Sequence, residues 1–282
     1  MIKPSECTVI IPHLGADEQQ EYALENCLAS LRDTVFGIKT IVVKNGGKPC
    51  NHNMTSDIVF TYEQGQCKAV NAAVATTNTP WIFVTNDDHI YAPGWFEELT
   101  SVLLETKDLG KPIQPLCISP KLVEPRPGAP TFEVKFFGGA GGDFNKQGWL
   151  DFAENYEAVD TGLRTGFNLP FLIKRELWDT IGGYDINYDP WGSNGDSDLE
   201  YKIKLAGIQP YQNTNCIVYH FSQTSGTFNP SNDSYRFANY AYFKSKWGFD
   251  RTDDGIWEAT FTIPSKEEGR LFNPDWEGKY GN

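Results

Sequence analysis

The sequence predicts an α/β fold, on three observations. Short apolar runs alternate with helix-spaced patterns through the first half, which is how a sheet built from βα units reads. The chain has 282 residues, 40% of them hydrophobic, enough for one large domain, or a domain plus an appendage, with a full core. It shows neither an internal repeat nor a low-complexity tract.

The elements follow in order. Thr8, Val9, Ile10 and Ile11 read as a first buried strand, and Leu24, Cys27, Leu28 and Leu31 then fall on one face of a helix beginning near Asp17. Residues 40–43 form a second strand ending at the turn Asn45-Gly46-Gly47, and residues 58–60 a third. Val70, Ala73 and Val74 mark a second helix. Residues 81–85 are the best central strand and run straight into Asn86-Asp87-Asp88-His89. Pro93-Gly94 opens a helix with Phe96, Leu99, Val102 and Leu103 on its apolar side, and residues 116–119 close this half. Residues 120–148 are rich in glycine and proline, including Gly138-Gly139-Ala140-Gly141-Gly142, and read as a long loop, either covering a substrate or running over the surface. A short helix near residues 175–181, the turn Gly182-Gly183, a helix from about Asp196 to Ala206 and a last strand at residues 216–219 follow. Residues 231–247 read as an aromatic-rich helix, and residues 251–282 as a polar tail.

Composition narrows the function. A net charge of −13 repels phosphate backbones, which makes nucleic acid a poor partner. No stretch approaches the roughly 20 apolar residues of a membrane helix, and residues 1–7 lack the start of a signal peptide, so the expectation is a cytoplasmic chain. Cys7, Cys27, Cys50, Cys67, Cys117 and Cys216 contain no Cys-x-x-Cys pair and read as reduced thiols. An aromatic content of 14%, with eight tryptophans, exceeds what an average core needs; core packing accounts for most of these rings, and exposed faces are one way to stack on sugars.

Open α/β sheets bind ligands at the carboxyl ends of their strands. Asn86, Asp87 and Asp88 stand at one such end, and the carboxylates of the acidic pair suit a hard divalent cation or, alternatively, a turn or helix cap. His220 stands at another, where an imidazole can be a metal ligand or a packed polar residue. Asp196 and Asp198 open a helix after Gly192-Ser193-Asn194-Gly195, where Asp196 is either a functional carboxylate or an N-cap.

Taken together these segments resemble the family 2 glycosyltransferases and their GT-A relatives, from Cys7 to about Trp247. Thr8-Val9-Ile10-Ile11-Pro12 looks like the family's opening strand, and Ile41-Val42-Val43-Lys44-Asn45-Gly46-Gly47 like its second-strand motif, with Lys44 where aspartate is usual. Gly65, Ala69 and Asn71 match the next helix, Thr85-Asn86-Asp87-Asp88 falls on the Asp-x-Asp motif with Asn86 in place of its first aspartate, and Pro93-Gly94-Trp95 matches the sequel. Gly166-Phe167-Asn168, Arg175-Glu176 and Ile181-Gly182-Gly183-Tyr184-Asp185 look like the acceptor-side segment. Asn194-Gly195-Asp196-Ser197-Asp198-Leu199 resembles the Glu-Asp-x-Asp-Leu motif, with Asp196 on the catalytic-base position, and Tyr219-His220 resembles the late metal-site histidine.

The resemblance implies a GT-A fold, a Rossmann-like mixed sheet flanked by helices, spanning residues 1–230, with a donor half of about 1–120, an acceptor half of about 121–230 and a C-terminal extension at 231–282. It implies an inverting, metal-dependent transferase that moves a sugar from a nucleotide-sugar donor to a hydroxyl of a carbohydrate acceptor. Mn²⁺ or Mg²⁺ would be held by Asp88 and His220, with Asp196 as base. Pro12, His13, Asn45, Lys68, Asn71, Asn86 and Asp87 would bind the donor, with a UDP-sugar ahead of GDP- and dTDP-sugars, and Trp191, Asn194, Gly195 and Asp198 the acceptor. Lys44 puts the reading of the base in question. A non-catalytic carbohydrate-binding or scaffold protein of this fold and a nucleotidyltransferase are the competing readings; the second should carry a glycine-rich loop with a lysine near the first strand, which Pro12-His13-Leu14-Gly15 is not.

Overall fold

The computed structural model describes residues 2–46, 57–61, 64–105, 107–108, 111–112, 116–126, 133–158, 162–222 and 229–248. The expected elements are β1 (Cys7–His13), α1 (Glu18–Thr34), β2 (Lys39–Asn45), β3 (Asp57–Thr61), α2 (Gln66–Ala75), β4 (Trp81–Val84) and α3 (Trp95–Glu105), with β5 (His89–Tyr91) between the last two. A two-strand hairpin, β6 (Lys107–Asp108) and β7 (Lys111–Pro112), precedes β8 (Cys117–Glu124) and β9 (Glu133–Val134). There follow α4 (Lys146–Glu154), β10 (Leu163–Thr165), β11 (Phe171–Lys174), α5 (Arg175–Ile181), α6 (Gly195–Leu205), β12 (Tyr211–His220) and α7 (Asp233–Trp247).

One sheet runs through both halves in the order β10-β12-β8-β11-β4-β1-β2-β3, with β5 added to β12 and β9 to β8. Strands β4, β1, β2 and β3 are parallel, whereas β11 is antiparallel to both β4 and β8. Alternation along each strand divides the core between two faces. Ile10, Ile41, Val43, Ile82 and Val84 meet α2, α5, α6 and α7, while Val9, Ile11, Val42 and Phe83 meet α1 and α3. Helix α1 forms where expected: Asp17 caps it by accepting the Gln20 N–H, and Leu24, Cys27, Leu28 and Leu31 are buried.

The long loop expected over residues 120–148 is corrected at both ends, since β8 continues to Glu124 and α4 begins at Lys146. Proline is tolerated inside β8 because Pro120 sits where the β8–β12 register shifts, and its carbonyl accepts side-chain amides of Asn168 and Gln212. The segment around Gly138 is tied down at its base, where the Tyr219 hydroxyl donates to Gly138 O (2.6 Å) and accepts from Phe137 N (3.1 Å). Strands β5, β9, β10 and β11, of two to four residues each, lie outside the expected pattern. The C-terminal helix begins at Asp233 and is no appendage to the core: Phe243 and Trp247 are buried in the cluster that also holds α2 and α6. Cys7, Cys27, Cys67, Cys117 and Cys216 are free buried thiols. Gly47, Cys50 and the 251–282 tail lie outside the described residues. Among those described, no helix is long and apolar enough to cross a membrane.

Candidate active site

Side chains from the carboxyl ends of β1, β2, β4, β8 and β12 converge beside the turn that joins β4 to β5. Thr85 N donates to Ile10 O, which keeps β1 and β4 in register to their ends, and Phe221 N donates to Asp88 O (3.0 Å), which pins the turn to the end of β12. Two groups of side chains form there.

The first joins Asp88 and His220. These two residues, with His89, bring ligand-type atoms within 4.8 Å of one another. His220 is opposite His89 in the β5–β12 ladder and lies beside Glu124 at the end of β8. Its Nδ1 meets Glu124 Oε1 at 2.7 Å and its Nε2 meets Asp88 Oδ2 at 3.2 Å. Burial alone would lower the His220 pKa, but the Asp88 and Glu124 carboxylates outweigh it and push it up to about 10. His89 is driven the other way, to about 3, by burial and then by the neighbouring His220 charge, with Asp88 offsetting part. It is therefore neutral near pH 7. Its Nδ1 accepts the backbone N–H of Asn86 (3.2 Å) and also meets Thr85 Oγ1 (2.8 Å). A neutral ring that accepts at Nδ1 carries its proton on Nε2.

The second group surrounds His13. Its Nδ1 faces Asp87 Oδ2 at 2.6 Å and its Nε2 faces Glu21 Oε1 at 3.2 Å, all from a fully buried ring. Burial raises the Asp87 pKa, with the His13 contact opposing it. Lys44 is also buried and donates to Leu14 O (2.9 Å), near Glu21 at 4.0 Å, so it ties β2 to the loop after β1. Gly15 closes this group: at φ +62°, an added Cβ would fall on Lys44, Glu21 and His13. Asn45 Oδ1 accepts the Gly65 N–H, and Pro12 is buried at the end of β1.

The residues expected on the acceptor side lie around the start of α6, which faces the start of α2, where Lys68 and Asn71 were expected to bind the donor. Asp189 accepts N–H groups of Cys67 (2.8 Å) and Lys68 (3.0 Å) and so caps α2, whose Gly65 has no room for a Cβ against that carboxylate. The Asn71 amide is engaged on both atoms with the Tyr184 backbone, at 2.8 and 3.0 Å. Asn194, in the left-handed region at φ 67°, occupies the N-cap position of α6, so Asp196 is not the cap. The Asp196 Oδ1 instead accepts the Tyr184 hydroxyl at 2.6 Å, and the residue remains partly exposed, as does Trp191. Gly195 and Asn194 are buried.

Asp198 is placed differently from its expectation. It is fully buried and accepts from Trp247 Nε1 (2.9 Å) and Lys246 Nζ (2.7 Å), which puts it in the core rather than on an acceptor surface. Sequence reasoning assigned no role to His89, Glu124, Glu21 or Tyr184. For Glu124 a signal existed, since a carboxylate directly follows the apolar Leu122 and Val123 at a strand end. Tyr184 stood in the segment that resembles the family's acceptor side, but its contact with Asp196, like that of Glu21 with His13, comes only from folding.

Residues 8–110 match the Glycosyl transferase family 2 profile. No curated protein sequence matches the chain. Among solved structures, GalNAc-T7 with UDP, GalNAc and Mn²⁺ superposes with a TM-score of 0.54 at 15% identity, over 76% of this chain and 43% of that one. The mannosyltransferase PcManGT from Pyrobaculum calidifontis, in complex with GDP-Man and Mn²⁺, gives 0.51 at 15% identity, over 80% and 60%. The chain thus spans less than two thirds of either relative, and identities this low speak for the fold alone. The matched segment takes in nearly all of β1 and the whole of β2, β3 and β4, and the superpositions cover about three quarters of the chain or more; the chain has the GT-A fold, and its residues 8–110 resemble the family 2 glycosyltransferases.

Proposed function

We propose that this chain transfers a glycosyl group, with inversion, from a nucleoside diphosphate sugar to a hydroxyl of a carbohydrate acceptor, and that it does so with Mn²⁺ or Mg²⁺. The carrying observation is the Asp88–His220–Glu124 arrangement at the carboxyl ends of three strands. Its donor set suits such a cation. An octahedral ion with bonds of about 2.0–2.1 Å sets adjacent ligands about 3 Å apart, and Asp88 Oδ2 and His220 Nε2 stand 3.2 Å apart. Glu124 on Nδ1 orients the imidazole as carboxylates do behind metal-bound histidines. The cation would neutralise the diphosphate as the glycosidic bond breaks. Both solved relatives hold a nucleotide or nucleotide sugar with Mn²⁺, which supports the same reading here.

The remaining work falls to the chain's own groups. His13, Asn45, Asn86 and Asp87, with Pro12, surround the donor end; Lys44 is held away from it by Leu14 O, so the base is read by neighbours or backbone. Lys68, on α2, is the donor-side cation of this reading, whereas the Asn71 amide is taken up by the Tyr184 backbone. Asp196 takes the proton of the attacking hydroxyl, its carboxylate oriented by Tyr184. Trp191, Asn194 and Gly195 frame the acceptor side.

A screen of UDP-, GDP- and dTDP-sugars with Mn²⁺ and oligosaccharide acceptors tests the reading. Asp196→Asn should slow transfer by about 10²–10⁴-fold while leaving donor affinity nearly unchanged. Asp88→Ala should instead lose metal-dependent donor binding. Full activity in chelator removes the cation from the proposal, and wild-type transfer by Asp196→Asn removes the base.

A further inference from the structure

Beside the candidate site, the segment that leaves β9 carries an aromatic ring that the core does not bury. Phe136 is 69% exposed, and Val134 is 47% exposed. Phe36 is more exposed still, but it stands just before β2, at the opposite end of the strands from Asp88 and His220, and the exposed rings of Tyr235 and Phe237 lie on α7. The register of β9 on β8 sets Glu133 opposite Val123 and Val134 opposite Glu124. The pairing continues one residue further, since Lys135 N donates to Glu124 O (2.9 Å).

The neighbours of Phe136 fix which way its ring faces. Glu133 pairs with Lys121 (3.4 Å), the Lys135 ammonium lies 5.9 Å from the centre of the Phe152 ring, and Phe137 packs on Trp149 and Tyr219. Residues 133, 135 and 137 thus turn to the face of the sheet that α4 covers, and alternation puts Val134 and Phe136 on the other. That other face is the one Glu124 and His220 share: Val123 and Tyr219, which precede them, pack with Trp149, whereas Glu124 and His220 meet each other at 2.7 Å. Val134 therefore ends a row that runs His89, His220, Glu124, Val134 across four strands. Phe136 stands two residues, about 7 Å, further along, past the carboxyl end of β8.

The backbone on both sides of Phe136 is anchored, at Lys135 N by Glu124 O and at Phe137 N by the Tyr219 hydroxyl, so the ring is held in place without being covered. One phenyl ring with a valine beside it offers far less than the roughly 800 Å² that each partner of a stable protein complex buries. It does match one face of a pyranose, whose C–H bonds carry the partial positive charge that the electron-rich face of an aromatic ring attracts. We infer that Phe136 stacks on the C–H face of a pyranose ring bound at the Asp88–His220 site, a chemistry that donor and acceptor sugars share; the inference rests on the carbohydrate substrates proposed above.

The test is ¹⁹F NMR of the full chain carrying 4-fluorophenylalanine, with the Phe136 signal assigned from Phe136→Leu, and it needs no turnover. UDP-glucose, UDP-N-acetylglucosamine and GDP-mannose are titrated with Mg²⁺ against UDP and GDP, and methyl glucoside, galactoside and mannoside are titrated in a second series. A saturable shift of the Phe136 signal with a sugar nucleotide but not with its nucleotide assigns the ring to the donor sugar, and a shift with a methyl glycoside assigns it to the acceptor; either supports the inference. By calorimetry, Phe136→Leu, apolar but without the ring face, should weaken that binding about 2- to 10-fold, and Phe136→Trp should restore it. A signal unmoved in both series, equal shifts from UDP or GDP alone, wild-type affinity in Phe136→Leu, or a signal that moves only with protein concentration as the chain self-associates would each overturn it. A chain whose Phe136 responds to sugars but which transfers none loses the proposed activity and keeps this contact, and an active transferase whose Phe136 does not respond does the reverse.

Discussion

Two clusters of buried carboxylates in this molecule use similar residues to opposite ends. Asp185 and Asp198 lie between α6 and α7 with Lys246 reaching both at 2.7 Å and Lys202 at 3.8 Å from Asp198, so two carboxylates meet two ammonium groups and the charge closes. Tyr242 and Asn187 add hydrogen bonds to Asp185, and Trp247 to Asp198. At the strand ends, Asp88 and Glu124 both meet the imidazole of His220, at 3.2 and 2.7 Å. The first cluster pairs its carboxylates with lysines and holds α7 against α6. The second pairs them with an imidazole, which can give up its proton to bind a cation, and that difference in partner, rather than the presence of acidic residues, marks the candidate site.

The comparison breaks first at Lys246. Lys246→Met leaves Asp185 and Asp198 buried beside each other without that cation, and should cost about 3–5 kcal/mol in urea unfolding, while Asp88→Asn should cost far less. Comparable losses from the two would mean that the strand-end cluster is also structural. A smaller effect is expected from Glu124→Gln, which keeps an acceptor for His220 Nδ1 but removes the charge. Mn²⁺ affinity, followed by calorimetry, should fall about 10- to 100-fold with stability nearly unchanged.

The smallest effect concerns the pH dependence of stability at two aspartates four positions apart in the chain. Burial would raise the Asp185 pKa, but Lys246 and the hydrogen bonds outweigh it and hold it below the ordinary 3.8. Its stabilising contribution is therefore present above 3.8 and lost as the pH falls through the lower folded value. Asp189 is shifted upward by burial, only partly offset by the Cys67 and Lys68 N–H groups, so it costs stability as the pH rises from 3.8 through its raised value. Relative to the parent chain, Asp185→Asn should lose stability between acid and neutral pH and Asp189→Asn should gain it. Shifts of the same sign in the two melting profiles would show that Lys246 does not set the balance.

Much of the first 105 residues was legible because its signals are local. A parallel strand buried on both faces is a continuous apolar run, and Thr8 to Ile11 and Trp81 to Val84 are such runs; Asp17 and the spacing of Leu24, Cys27, Leu28 and Leu31 declare α1 within one segment. Asp88 and His220 were legible as strand-end residues for the same reason. The middle of the chain was not, since β5, β9, β10 and β11 are too short to show a period and Pro120 disguised the length of β8.

What the sequence by itself determined is thus the α/β class, the order of its main elements and the residues at the ends of its strands, because backbone propensity and side-chain alternation act over a few neighbours. Only the tertiary structure decided which of those residues act together. Glu124 reaches His220 across 96 positions, His13 reaches Asp87 across 74, and Lys246 neutralises Asp198 from another helix. Asp196 and Asp198 show why that matters: one turn of α6 contains both, and folding leaves the first at the surface beside Tyr184 while burying the second among lysines. Side chains two positions apart point to different sides of a helix, and only the packing of α7 against α6 decides which side is the interior.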